Sequence, residues 1–303
     1  MKTESTIYRV GDATITRITD RLLTTLPGPK VLPDWNEAAV APWRDSMRPE
    51  MLNDDGQTLI MSVHSWLIRI DGLTVLVDTG IGNDKPRPFN RVFDRLNTDY
   101  LRRLASAGVA PEDVDLVLLT HLHVDHVGWN TRWIDGRWQP TFPNARHVYA
   151  QAEEDFYATP ASEPRRMIFD DSVQPLIEAG LVQRVGDAGG EVEAGFRFHP
   201  TPGHSVGHMS ISLTSGGETA LFGGDVMHHP LQLHHPDWNS VFCADGERAR
   251  GEGVQGARFA AGRRAGAGLV PGPGLLAGAA GQRQRQSSGG QEQSTTEDGG
   301  PFR

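Results

Sequence analysis

Residues 114–126 read Val-Asp-Leu-Val-Leu-Leu-Thr-His-Leu-His-Val-Asp-His, an apolar run followed at once by three histidines and an aspartate. The apolar run is typical of a buried strand. His121 and His123 are two residues apart, so in extended or loop backbone both imidazoles can point to one side and take one cation as a pair, and Asp125 and His126 would then face a neighbouring position. The stretch therefore predicts a transition-metal centre at the end of a strand. The alternative is a loop of surface histidines.

Three further motifs accompany this stretch. Residues 77–80 read Val-Asp-Thr-Gly, residues 201–204 read Thr-Pro-Gly-His and residues 222–225 read Phe-Gly-Gly-Asp. Together with the H-x-H-x-D-H string at residues 121–126, they resemble the metallo-β-lactamase superfamily in both composition and order. The resemblance covers about residues 7–250.

The resemblance implies an α+β fold, an αββα sandwich in which two mixed β-sheets lie face to face, flanked by helices, with the metals at one edge. A chain of 303 residues is long enough to bury such a core. We expect a metallo-β-lactamase-fold hydrolase domain over residues 1–250, incomplete at its C-terminal end, and a separate tail over residues 251–303.

The resemblance also implies the metal ligands. The first metal site takes His121, His123, His204 and Asp225, and the second takes Asp125 and His126 and shares Asp225 as a bridge. The cofactor would be one or two Zn²⁺ ions, with Mn²⁺ or Fe²⁺ as alternatives. Asp78 either orients a ligating imidazole through its second nitrogen or is a turn residue at a strand end.

The reaction implied is hydrolysis of an ester, lactone or phosphotriester by a metal-bound hydroxide. Asp125 would carry a proton to the leaving group, and His228 would hold the carbonyl or phosphoryl oxygen. Lactonases of the superfamily often have a tyrosine where this chain has His228. This difference argues against an acyl-homoserine lactone as the substrate. We assign five other histidines outside the ligand set: His147 and His208 as structural residues, and His229, His234 and His235 as a surface loop.

Other branches of the superfamily fit less well. True zinc β-lactamases generally lack the bridging carboxylate of Asp225, and oxygen-reducing di-iron relatives usually have glutamate in place of His123. Glyoxalase II relatives bind glutathione thioesters through a basic C-terminal region that this chain lacks. The lactonase and methyl-parathion-hydrolase-like branch remains, with a small-molecule substrate.

Composition limits the partners and the compartment. The formal net charge of −9 argues against nucleic-acid binding, which needs clustered Lys and Arg. No apolar run is long enough for a membrane span, and the N-terminus has no secretory apolar region. With Cys243 as the one cysteine, these features predict a cytoplasmic protein. A homodimer is compatible with them.

Local patterns predict several elements. Asp71-Gly72 predicts a hairpin turn between residues 61–70 and 73–77, and residues 97–107 have helical spacing. Proline-rich residues 21–57 predict an irregular segment. Its Trp35 and Trp43 either form a substrate wall or pack against the sheets.

The tail differs in character from the rest of the chain. It holds 14 of the 35 glycines, and no histidine follows His235. In relatives this region delivers the last histidine to the second metal, so we expect a weak or empty second site, and a truncated, catalytically impaired family member is the alternative function. Either the reading frame shifts near residue 250, which resequencing would reveal, or the tail is a genuine disordered extension.

Overall fold

The computed structural model describes residues 7–47, 49–252 and 276–278. The strands are β1 (Ile7–Val10), β2 (Ala13–Pro27), β3 (Thr58–Ile70), β4 (Leu73–Val77), β5 (Leu116–Leu118), β6 (Thr131–Ile134), β7 (Arg137–Pro140), β8 (Arg146–Ala150), β9 (Val182–Val185), β10 (Gly190–Glu193), β11 (Phe196–Pro200), β12 (Met209–Ser215), β13 (Glu218–Phe222) and β14 (Leu276–Gly278).

The α-helices are short: α1 (Gly28–Val31), α2 (Glu37–Val40), α3 (Arg44–Met47), α4 (Tyr100–Ser106), α5 (Gln151–Tyr157), α6 (Arg166–Ser172), α7 (Gln174–Glu178) and α8 (Leu231–His234). Residues 246–252 are also helical. Single 3-10 turns occur at Pro111–Asp113, Gly128–Asn130, Pro160–Arg165 and Gly224–Val226.

Two sheets form the sandwich. The first has the order β1-β2-β3-β4-β5-β8-β9, antiparallel up to β4 and parallel from β4 to β9. The second has the order β10-β11-β12-β13-β14 and is antiparallel throughout. Strands β6 and β7 form a separate hairpin. The predicted α+β sandwich of two sheets with flanking helices is confirmed, with the difference that, in the described part of the chain, the second sheet is antiparallel rather than mixed.

The core lies on both faces of the first sheet. Between the sheets, Trp66 and Leu118 of the first sheet belong to one buried cluster with Phe198 and Ile211 of the second. On the outer face, a second cluster joins the first sheet to helices α4, α5 and α6. Burial on both faces explains why residues 114–119 are almost continuously apolar.

The predicted hairpin and helix are confirmed. Asp71 and Gly72 have φ values of 51° and 83° and connect β3 to β4, and α4 lies within residues 97–107. Gly108, with φ of 75°, follows this helix and permits the left-handed turn there.

The prediction for residues 21–57 was only partly right. Strand β2 continues to Pro27, because it pairs with the long strand β3 along its whole length. The rest forms α1 to α3 and loops. Trp35 packs 6.5 Å from Trp238, and Trp43 stacks on His234 at 3.4 Å between ring centroids. These contacts favour packing over a substrate wall for both tryptophans.

The predicted tail falls mostly outside the described residues. Of residues 251–303, the structure describes residues 251–252, which are helical, and β14, which pairs with β13. Disorder or a frame shift therefore stays a prediction. Within the described part of the chain, no helix is long and apolar enough to cross a membrane.

Candidate metal centre

Four strand ends bring the predicted site residues to one edge of the sandwich. The loop after β5 carries His121, His123, Asp125 and His126, and the loop after β4 carries Asp78. The loop after β11 carries His204, and the turn after β13 carries Asp225. All six predicted metal ligands are thereby gathered from segments that are distant in sequence. Among the described residues, ligand atoms lie within 4.8 Å of one another in three groups: His121, His123 and His204; His121, His126 and Asp225; and His204, His228 and Cys243.

The first group presents three ring nitrogens to one point. Nε2 of His204 lies 2.8 Å from Nδ1 of His123 and 3.1 Å from Nε2 of His121. A neutral imidazole carries one N–H, so such a group cannot satisfy itself by hydrogen bonds alone. Ligand atoms of a tetrahedral Zn²⁺ site with bonds of ~2.0–2.1 Å have a similar spacing. The donor set therefore fits a divalent cation.

Asp225 lies between the two predicted metal positions. Its Oδ2 is 3.3 Å from Nε2 of His204, and its Oδ1 is 3.3 Å from Nε2 of His126. Asp125 contributes Oδ1 at 3.8 Å from the same His126 nitrogen. Among the described residues, neither Nε2 of His126 nor Oδ1 of Asp225 has a hydrogen-bond partner, although both are buried. Two unpartnered atoms that face each other at this distance fit a shared cation.

Hydrogen bonds fix the tautomers of two predicted ligands. Nδ1 of His126 donates to Oδ2 of Asp78 at 2.9 Å, which leaves the lone pair on Nε2. The Thr120 hydroxyl donates to Asp78 and accepts from Nδ1 of His121 at 3.1 Å, so the lone pair of His121 is also on Nε2. The structure thus supports the orienting role of Asp78, which sits at the strand end with φ of 57°.

The carboxylates of the centre stabilise positive charge there. Burial opposes the charged form of His126, but the carboxylates of Asp225, Asp78 and Asp125 together raise its pKa well above the ordinary value. Burial, reinforced by the neighbouring imidazoles, lowers the pKa of His121 well below its ordinary value. The carboxylates that favour positive charge on His126 would equally favour a divalent cation at the same place, and the neutral ring of His121 offers a lone pair to it.

His208 has the structural role predicted for it. Its Nε2 accepts a hydrogen bond from the backbone N–H of Asp225 at 3.0 Å, and its Nδ1 donates to the Thr201 hydroxyl at 2.9 Å. Both nitrogens are therefore used within the protein, and His208 holds the turn that presents Asp225. His147 is also buried away from the centre, with Nδ1 donating to the carbonyl of Ala145 at 3.1 Å.

Glu153 is a positioning residue that the sequence did not reveal. Its carboxylate accepts hydrogen bonds from the backbone N–H of Leu122 at 2.9 Å, from the Ser205 hydroxyl at 2.6 Å and from the Gly207 N–H at 2.8 Å. It therefore ties the loop of His121 to the loop of His204. A buried glutamate in the first turn of a helix has no distinguishing sequence pattern; only its partners identify it.

His228 lies beside the carboxylate of Asp225 in the centre. Nε2 of His228 is 3.3 Å from Oδ2 of Asp225, and neither ring nitrogen has a hydrogen-bond partner among the described residues.

The assignment of His229 to a surface loop was wrong. His229 is buried, because its ring bonds the carbonyl of Met51 and the N–H of Leu231.

One family model and several known proteins match this chain. The family model described as "Metallo-beta-lactamase superfamily" matches residues 60–271. The "Probable metallo-hydrolase YybB" of Bacillus subtilis (strain 168) is 28% identical over 187 residues, 60% of this chain and 72% of that protein. An N-acyl homoserine lactonase of Bacillus cereus is 25% identical over 169 residues, 52% of this chain and 60% of the lactonase. The solved structure of AidC, a dizinc quorum-quenching lactonase, has a TM-score of 0.66 at 21% identity and covers 86% of each chain.

Proposed function

The chain belongs to the metallo-beta-lactamase superfamily, and from that membership and its site geometry we propose that it is a metal-dependent hydrolase of an ester, lactone or phosphotriester. One observation carries the proposal: beside the carboxylate of Asp225, Nε2 of His204 lies 2.8 Å from a ring nitrogen of His123 and 3.1 Å from one of His121. Zn²⁺ is the proposed ion, with Mn²⁺ or Fe²⁺ as alternatives for the same donors.

The first metal position is proposed to use His121, His123, His204 and Asp225. The second is proposed to use Asp125 and His126 and to share Asp225. A divalent cation bound there supplies Lewis acidity, which makes water nucleophilic near neutral pH and polarises a substrate oxygen. The geometry of Asp225, with one oxygen toward each group, supports the bridging role.

Two residues are proposed to act on the substrate. The side chain of Asp125 is 22% exposed, so it is open to solvent and can pass a proton to the leaving oxygen. His228 has ring nitrogens without partners among the described residues, so it can donate a hydrogen bond to the carbonyl or phosphoryl oxygen. In the overall reaction, the hydroxyl of water bonds to the acyl carbon or phosphorus, and its proton leaves with the alcohol.

Sequence similarity to an N-acyl homoserine lactonase supports a lactone as the first substrate to try. We propose assays with p-nitrophenyl acetate, a lactone and paraoxon, each with added Zn²⁺ or Mn²⁺. Activity should need the metal and should fall at least about 100-fold in His123→Ala, because one of three ring nitrogens is lost. His199→Ala is the control, because this partly exposed histidine bonds Ser212 away from the centre.

The outcomes separate the two candidate functions. Metal-dependent turnover that His123→Ala abolishes supports the hydrolase. Stoichiometric metal binding without turnover of any substrate class would favour the impaired family member. Turnover that His123→Ala leaves unchanged would reject the metal mechanism.

A further inference from the structure

His64 on the central strand β3 has a buried ring nitrogen without a hydrogen-bond partner in the described part of the chain. Its Nδ1 lies 2.8 Å from the carbonyl of Ser62, so Nδ1 carries the proton and Nε2 carries the lone pair. Among the described residues, Nε2 has no hydrogen-bond partner, and the whole residue is 6% exposed. The edge-to-face contact with Trp66, 4.7 Å between centroids, holds the ring in place.

The cavity beside His64 leads to the second metal position. The free space in it has about the size of one water molecule, which is also enough for a metal ion. Two proposed ligands of the second metal, Asp125 and His126, line the same cavity together with Asp78. The remaining lining residues are Val63, Trp66, Val77, Phe222 and Gly224.

The second metal position lacks a ligand that the sequence leads one to expect. Asp125, His126 and Asp225 provide three side chains, and no histidine follows His235 to provide a fourth. His64 offers a nitrogen that no other described residue binds. Nε2 of His126 is likewise without a hydrogen-bond partner among the described residues.

We propose that Nε2 of His64 is a ligand of the second metal ion and replaces the histidine that the tail does not supply. The inference rests on the proposed function, because it extends the same centre. It also reverses the sequence-based expectation of a weak second site. With His64, the set becomes two imidazoles and two carboxylates, which suits Zn²⁺ or Mn²⁺.

The environment keeps His64 ready to bind a cation. The hydrogen bond from Nδ1 of His64 to the carbonyl of Ser62 leaves the lone pair on Nε2, so a cation in the cavity would meet an acceptor atom rather than an N–H. A buried acceptor without a hydrogen bond lowers the stability of the folded protein, and a cation bound to Nε2 of His64 would remove this destabilisation. Among the described residues, His64 belongs to none of the groups of three ligand atoms that lie within 4.8 Å of one another. Metal binding by His64 therefore requires the walls of the small cavity to move closer together.

Cobalt binding tests the proposal without an activity assay. Titration of the purified chain with Co²⁺, followed by calorimetry and visible spectroscopy, should give two equivalents for the wild type. His64→Phe should keep the first equivalent and weaken the second at least about 100-fold, at or beyond the upper end of what a change outside the ligand shell causes. His64→Cys should restore the second equivalent and add a thiolate-to-cobalt charge-transfer band that is absent from the wild type.

His147→Phe is the matched control. His147 is also buried, donates through Nδ1 to a backbone carbonyl and leaves Nε2 without a partner among the described residues, but it lies outside the centre. This variant should bind two equivalents. A wild type with one equivalent, or two equivalents in His64→Phe, would overturn the inference and leave the proposed function standing. A wild type that binds no cobalt would overturn both.

Discussion

Asp78 accepts a hydrogen bond from Nδ1 of His126 at 2.9 Å, and the same carboxylate accepts the backbone N–H of Thr120 at 2.8 Å. One side chain at the end of β4 thereby orients a proposed ligand and fixes the first residue of the histidine loop. Asp78 has φ of 57°, a conformation that aspartate and asparagine tolerate better than most residues. Asp78→Asn therefore changes the chemistry of the contact with little strain in the backbone.

We predict that Asp78→Asn weakens metal binding about 10–100-fold. The amide has one acceptor oxygen, so its NH₂ group must face either His126 or Thr120, both of which donate. Competition with a chromogenic chelator measures the change. Asp115→Asn is the control, since Asp115 also lies beside a strand end and accepts a backbone N–H, that of Thr74 at 2.8 Å. Equal affinities for both variants would refute the orienting role.

A second prediction concerns Glu153, which accepts three hydrogen bonds from two loops. Glu153→Gln offers one acceptor oxygen and opposes its NH₂ to a donor, so we expect a loss of about 1–3 kcal/mol of stability and weaker metal binding. Chemical unfolding and chelator competition measure the two effects. Glu154→Gln is the neighbouring control, because Glu154 bonds Tyr149 and Arg184 instead. Lower stability with unchanged metal affinity would leave Glu153 with a structural role only.

The sequence predicted the position of the histidine loop directly after a strand, because local order and spacing determine that position. His121 and His123 follow a buried strand directly, and two-residue spacing places them on one side. It did not predict Glu153 or His64, because their roles depend on partners that only the fold brings near. His229 was misassigned for the same reason: its partner, Met51, lies far away in the chain. Helical and hairpin turns, by contrast, were predictable from local residues such as Gly72.

A third prediction concerns a buried ion cluster away from the metal centre. Asp171 makes two hydrogen bonds to Arg87, at 2.6 and 2.9 Å, and lies 3.3 Å from Nζ of Lys85; both cations are fully buried. Asp171→Asn leaves the two cations without a counter-charge, so we expect the free energy of unfolding to fall by about 3–5 kcal/mol. Urea unfolding with an unchanged m-value measures it.

The adjacent residue supplies the control for this cluster. Asp170 pairs with Arg166 at 3.0 Å, and both side chains are substantially exposed. Because an exposed ion pair contributes about 0–1 kcal/mol, Asp170→Asn should change stability little. A similar, small effect of both substitutions would show that the buried cations find other compensation.

The last prediction concerns pH. Burial lowers the pKa of His147 to about 4, whereas in the unfolded chain a histidine has a pKa of about 6.5. Between these values the unfolded chain binds the proton and the native protein does not, so native stability is lost as pH falls through this window. The contribution of His147 to this loss between pH 7 and pH 5 is about 2 kcal/mol. Urea unfolding at both pH values, with chelator present throughout, measures the loss of stability in each protein. The wild type should lose about 2 kcal/mol more than His147→Phe does. Equal losses in the two proteins would contradict a neutral, buried His147.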